Sequence, residues 1–199
     1  MSFRLHPTLG GDRSGASARG DVELVVDGEH FRRIVLEGIC AARVSIDIAT
    51  ADFKAMLVPT GDGRRRAESI VSVLRKLAVR GVEIRILHAG VPSAAALIEL
   101  KKGLPKNLSI RRCPRLHAKT VVIDARGMYL GSANLTGAGL GAKADGRRNF
   151  EWGVWTTGAQ LIESVLDQFN ALWEGEHCEG CKRKDVCPVP LEEPGDGEN

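Results

Sequence analysis

Apolar residues along the chain recur with two periods. Short alternating or continuous apolar runs read as strands, and longer stretches with apolar residues three and four apart read as helices. Residues 23–26 form the first strand-like run. Asp27 is placed to cap a helix over 27–42, with Phe31, Ile34, Val35 and Ile39 as its stripe. Residues 43–49 alternate and predict a strand, followed by a loop containing Pro59, Gly61 and Gly63. A helix is predicted over 64–80, with Ile70, Val71, Val73, Leu74 and Leu77 inward and Gly81 as its stop. A strand over 82–88, a short helix over 94–102 and a strand over 108–113 come next. Residues 118–124 and 128–132 read as two strands joined across Ala125, Arg126 and Gly127. A strand over 150–157 precedes a helix over 158–173 carrying Leu161, Ile162, Val165, Leu166, Phe169 and Leu172 at helical spacing.

Strands alternating with helices predict an α/β fold. Crossovers in the first half and a hairpin in the second make its central sheet mixed. No internal repeat is visible. Residues 1–21 are polar and Gly-punctuated, so a flexible N-terminus is expected. The expected divisions are a folded domain over 22–174, a Cys-rich extension over 175–190 and an acidic disordered tail over 191–199. At 199 residues the chain suits one such domain. No run of 18 apolar residues is present, and the N-terminus has no apolar core of the secretory kind, so a cytoplasmic location is expected.

Net charge is only +3, but it is unevenly placed. Between Arg111 and Arg148 eight cations face two carboxylates, a net +6, whereas the last eleven residues carry four acids and no base. A basic middle suits an anionic ligand. Within it lies Arg115-Leu-His117-Ala-Lys119, then Asp124, then Gly131-Ser132-Ala-Asn134. Residues two apart on an extended strand share a face, so His117 and Lys119 point the same way. An imidazole beside an ammonium suits an oxyanion, the Lys neutralising charge and the His acting as nucleophile or proton carrier. Glycine permits close approach, while Ser132 and Asn134 supply neutral donors.

The run His117-x-Lys119-x4-Asp124-x6-Gly131-Ser132-x-Asn134 resembles the signature of the phospholipase D superfamily, and the resemblance covers roughly residues 22–174. It implies an α/β/α sandwich with a mixed central sheet and hydrolysis or transfer at a phosphodiester. His117 would attack phosphorus and form a phosphohistidine. Lys119 and Asn134 would hold phosphoryl oxygens with Ser132 in support, Asp124 would organise the site, and no metal would enter the chemistry. Members of that family use two such motifs, and this chain has one. The resemblance to single-motif members therefore implies a homodimer that brings two copies of His117 together. Glu151 matches the carboxylate that orients the histidine in small members.

Small single-motif members are mostly nucleases. Arg111, Arg112 and Arg115 precede the motif, and Lys143, Arg147 and Arg148 follow it. On the expected fold both groups rim the site and contact flanking phosphates of a polymer. No amphipathic basic helix or apolar anchor is present, so stable membrane association is not expected and nucleic acid, DNA or RNA, is the favoured partner. A phospholipid phosphodiesterase or phosphatidyl transferase is the alternative enzyme. A non-catalytic nucleic-acid-binding module is the third reading. Trp152 and Trp155 lie three apart on one strand and face opposite sides, and packing rather than base stacking is expected of them.

Five cysteines without an export signal argue against a disulfide framework. Three of them, Cys178, Cys181 and Cys187, fall within ten residues, which points to metal. Tetrahedral zinc and a cubane iron–sulfur cluster both want four ligands. Cys113 is the upstream candidate for the fourth, and His177 is the alternative, giving a Cys3His zinc site. The Cys-x2-Cys-x5-Cys-Pro spacing resembles the iron–sulfur staple of some DNA-processing nucleases, in spacing and not in kinship. A structural 4Fe-4S cluster or zinc is therefore expected. Cys40, among Ile39 and Val35, is expected in the core.

Overall fold

The computed structural model describes residues 21–59, 67–183 and 185–187. The expectations for residues 1–20, Arg64 to Arg66 and the acidic tail lie outside them.

Seven strands form one mixed sheet: β1 (Val22–Val26), β2 (Ser45–Thr50), β5 (Glu83–His88), β6 (Leu108–Arg112), β7 (Thr120–Ile123), β8 (Gly127–Gly131) and β9 (Trp152–Thr156). Their order is β1-β9-β8-β7-β2-β5-β6. β2, β5 and β6 are parallel, and every other neighbouring pair is antiparallel. Two short strands, β3 (Leu57–Pro59) and β4 (Ala67–Ser69), pair separately.

Each strand's alternation decides what covers it. Ile46 and Ile48 of β2, with Ile84 and Ile86 of β5, face the larger core under α1 (Ile70–Val79) and α2 (Ala94–Leu100). Ala49 and Leu87 point the other way, against Phe169 and Trp173 of α3 (Ala159–Trp173). Val122 and Met128 pack on Ile162 of the same helix. The result is the expected α/β/α sandwich. Asp47 also faces α3, where Arg85 Nε reaches its carboxylate at 2.6 Å and the guanidinium lies over Phe169.

Two helices differ from expectation. The helix predicted over 27–42 is a π-helical stretch, Phe31–Leu36, followed by a 3-10 turn, Ile39–Ala41. Asp27 does not cap it. Its φ is +45°, its carbonyl accepts from His30 N and Nδ1, and its carboxylate accepts from Glu151 N at 2.9 Å. Tertiary partners took the capping group. α1 begins at Ile70 rather than 64, because Ser69 Oγ accepts from Ser72 N at 3.1 Å and so caps the helix there.

Candidate active site

Antiparallel pairing brings four strand ends to one edge. Ala49 is registered with Thr120, Thr120 with Leu130, and Gly131 with Gly153. The end of β2, the start of β7, the end of β8 and the start of β9 therefore meet there. His117 and Lys119 lie just before β7, which begins two residues later than expected. They still meet. Lys119 Nζ is 3.2 Å and 3.1 Å from the two ring nitrogens of the exposed His117 and donates to its carbonyl at 2.8 Å. Partial burial lowers the Lys119 ammonium from its usual value, and the Glu151 carboxylate partly restores it.

The Gly131-Ser132-x-Asn134 segment leaves the adjoining strand. A Cβ on Gly131 would fall 2.6 Å from Gly153 Cα and 2.7 Å from Trp152 O, so only glycine lets β8 and β9 cross so closely. Asn134 Oδ1 accepts from Ala51 N at 3.0 Å, Asp52 N at 3.1 Å and Thr50 Oγ1 at 3.3 Å. With its oxygen fixed on the end of β2, the amide turns its NH2 group the other way. Thr50 Oγ1 also accepts from Leu135 N at 2.9 Å. Sequence reasoning missed Thr50, which reads only as the last residue of a buried strand.

Glu151 is buried. Ser132 Oγ donates to one of its carboxylate oxygens and Asn149 Nδ2 to the other, at 2.9 Å for the latter. Both oxygens are thereby engaged, and no hydrogen bond joins Glu151 to His117 within the chain. The expected orienting carboxylate instead fixes Ser132 and acts on Lys119 through its charge. Beneath it, the buried Tyr129 hydroxyl accepts from Ala133 N at 3.0 Å and stands 3.1 Å from His30 Nε2. Burial pushes the Tyr129 hydroxyl up to about 12, the Ala133 amide opposing and Glu151 adding to the shift. Burial also lowers His30, against the Asp27 carbonyl bond and nearby carboxylates that raise it. Sequence reasoning did not find this layer, because a buried Tyr on a strand carries no signal beyond packing.

Asp124, expected among the catalytic residues, lies at the other end of β7. At about 3.3 Å per residue it stands about 16 Å along the chain from Lys119. Its carboxylate accepts from Arg43 N at 3.1 Å, Val44 N at 2.7 Å and Ser45 N at 3.0 Å. Burial pushes this acid up, but the three backbone donors and Arg126 outweigh it and hold the acid below its usual value. Asp124 anchors the entry to β2 and touches no reacting group.

The basic rim is only partly built as expected. Arg111 is half-buried, donating to Trp173 O at 2.8 Å with its guanidinium over the Trp173 ring. Arg112 Nε donates to Ala89 O at 3.1 Å. Both bind the body of the protein rather than facing outward. Arg148 pairs with Asp145. Lys143, Arg147 and Arg115 are exposed. The two tryptophans face opposite sides as their spacing predicts; Trp155 packs as expected, whereas Trp152, also expected to pack, is exposed.

A cavity of about 920 Å³ lies beside His117. Cys113, Cys178, Cys181 and Cys187 line it, together with His177 and Arg115. Burial pushes the Cys187 thiol up, and the Cys113, Cys178 and Cys181 sulfurs add to that, so the fold brings the four expected cysteines together. Among the described residues no group of three or more His, Cys, Asp or Glu is arranged to hold a single metal ion. Cys40 lies elsewhere, packed against the larger core.

An imidazole beside an ammonium thus lies at one end of the sheet of an α/β/α sandwich, where Ser132 and Asn134 follow the neighbouring strand. Residues 35–173 match the family described as cardiolipin synthase, phospholipase D-like domain, and the chain belongs to that family. Its fold is similar to a phospholipase D family member, Nuc from Salmonella typhimurium, at 23% identity and TM-score 0.58, covering 78% of this chain and 95% of that one. It is also similar to NucT from Helicobacter pylori, at 19% identity and TM-score 0.58, covering 78% and 96%. A search of curated proteins finds no match. No helix among the described residues is long and apolar enough to cross a membrane.

Proposed function

We propose that the protein cleaves phosphodiester bonds of nucleic acid through a phosphohistidine, as a homodimer and without metal in the chemistry. The observation that carries this reading is the meeting of His117 and Lys119 with Ser132 and Asn134 at one sheet edge. The His117 imidazole attacks phosphorus, a P–N bond forms and the P–O bond to the leaving group breaks. The departing oxygen takes a proton from a second histidine. Water then attacks the phosphohistidine, giving its proton to that second histidine, and His117 is released. Lys119 and the Asn134 amide stabilise charge on the non-bridging oxygens, and Ser132 supports them.

The second histidine is His117 of another copy. Among the described residues His30 and His88 are buried and bonded elsewhere, and exposed His177, which lines the cavity beside His117, is the rival that the test below addresses. The sheet offers a surface for that copy. Leu24, Val154 and Leu130 stand in register across β1, β9 and β8, flanked by exposed Val22 and Trp152. Trp152 N and O both bond Ser132, so the apolar strip ends at the site. A copy seated there covers the strip and brings its histidine to the phosphate. Exposed Lys143, Arg147 and Arg115 favour a polymer with phosphates on both sides of the scissile one.

The test is cleavage of labelled single- and double-stranded DNA and RNA in EDTA. Wild type should cut, and His117→Asn should lose on the order of 10⁴-fold or more. Leu24→Lys should sediment as a folded monomer and lose activity, while His177→Asn should keep it. Lipid hydrolysis without nucleic-acid cleavage would replace the substrate. Loss of activity in His177→Asn would place the acid within the chain and remove the need for a dimer.

A further inference from the structure

The phosphodiester site does not use the four cysteines. They come from distant parts of the chain. Cys113 follows β6, its amide donating to His88 O at 2.8 Å. Cys178, Cys181 and Cys187 follow α3, which Gly175 ends with a φ of +78°. Cys181 N donates to Cys178 O at 3.2 Å, and Gly180 takes a φ of +70°, so Cys178 and Cys181 share one tight turn. All four side chains are half-buried around one cavity of about 920 Å³. Arg115 Nη1 donates to Cys181 Sγ at 3.7 Å, and Arg183 also lines the cavity. Four cysteine sulfurs make a soft-metal ligand set.

The number of donors and the size of the cavity they line choose the occupant. One zinc ion with bonds of about 2.3 Å draws four sulfurs to about 3.8 Å from one another. Among the described residues no group of three or more His, Cys, Asp or Glu is arranged around one metal ion, yet these four cysteines line one cavity of about 920 Å³. A cubane cluster places one thiolate on each of four irons, so its sulfurs stand farther apart around a larger body.

We propose that Cys113, Cys178, Cys181 and Cys187 ligate a four-iron, four-sulfide cluster in the cavity that opens on His117. The cluster ties the segment after α3 to the turn that carries the nucleophile. That turn is short. Leu116 N donates to Cys113 O at 2.9 Å, and His117 follows directly. The inference does not depend on the substrate proposed above.

The experiment uses the full chain purified without oxygen. Iron, acid-labile sulfide and zinc are measured, and the visible absorption is recorded. About four irons and four sulfides per chain are expected. Cys181→Ser and Cys113→Ser should lose most of the iron while far-ultraviolet circular dichroism shows a folded chain. Cys40→Ser should keep it. Limited proteolysis should cut between Glu174 and Cys187 faster after the cluster is removed. About one zinc without sulfide would overturn the cluster. Wild type with no metal, after reconstitution with iron and sulfide, would overturn the site. Full iron retention in both variants would overturn the ligand assignment.

Discussion

Replacing Tyr129 by Phe tests the layer beneath the site. The ring stays, so packing is unchanged and only the hydroxyl is lost. That hydroxyl accepts from Ala133 N at 3.0 Å and stands 3.1 Å from His30 Nε2, with both partners buried. Each buried polar group left without a partner costs about 1–3 kcal/mol, so the substitution should cost about 2–4 kcal/mol. In a chain of this size 1 kcal/mol moves Tm by about 2–4 °C, and a fall of roughly 5–15 °C is expected. Urea unfolding should show a lower midpoint at an unchanged slope. Ala133 lies between Ser132 and Asn134, so turnover should fall at temperatures where the variant is fully folded. Tyr129 is the single tyrosine of the chain, so alkaline ultraviolet titration reads it directly. In the native protein it should ionise near about 12 rather than near 10. Because the folded value is raised, this group stabilises below pH 10 and its contribution is lost as pH climbs from 10 towards 12. A Tm within about 2 °C of wild type, or a tyrosine titrating at its ordinary value in the folded protein, would refute the reasoning.

Three other outcomes follow from the same contacts. Asp124→Ala leaves the Arg43, Val44 and Ser45 amides without their acceptor, so it should cost about 2–4 kcal/mol in urea unfolding yet keep wild-type turnover when folded; a selective loss of turnover would place it in the chemistry. Burial holds Lys119 below the usual ammonium value, so phosphate binding should weaken on the alkaline side earlier than an ordinary lysine would allow, and Lys119→Arg should move that limb of the pH–rate profile upward. His30 has a lowered folded value, so the unfolded chain binds the extra proton first; its stabilisation is full above about 6.5 and is lost as pH falls below that, and His30→Asn should flatten this part of the stability curve measured by denaturant titration.

What the sequence disclosed follows from which interactions are local. The strands showed because Ile46, Ile48, Ile84 and Ile86 alternate with residues that meet α3, and alternation is written in adjacent positions. The pairing of His117 with Lys119 showed because spacing of two survives even where the strand has not begun. Asp124 misled because a motif records sequence distance, and five residues of extended chain carried it to the far end of β7. Asp27 misled for a related reason. Its carboxylate is a good helix cap, but Glu151 N, 124 residues away, competes for it and wins. Arg111 and Arg112 read as rim cations on charge alone, whereas the Trp173 ring and the Trp173 and Ala89 carbonyls hold them against the body. Each of these depends on a partner distant in sequence. Thr50 and Tyr129, which the sequence did not single out, and Glu151, which it did but with His117 rather than Ser132 as partner, show the same limit from the other side. They settle where Ser132 and Asn134 point, and they do so through bonds spanning up to 85 residues. The groups proposed to touch phosphate are legible as a motif, and the contacts that hold them in place become legible only once the sheet has brought its ends together.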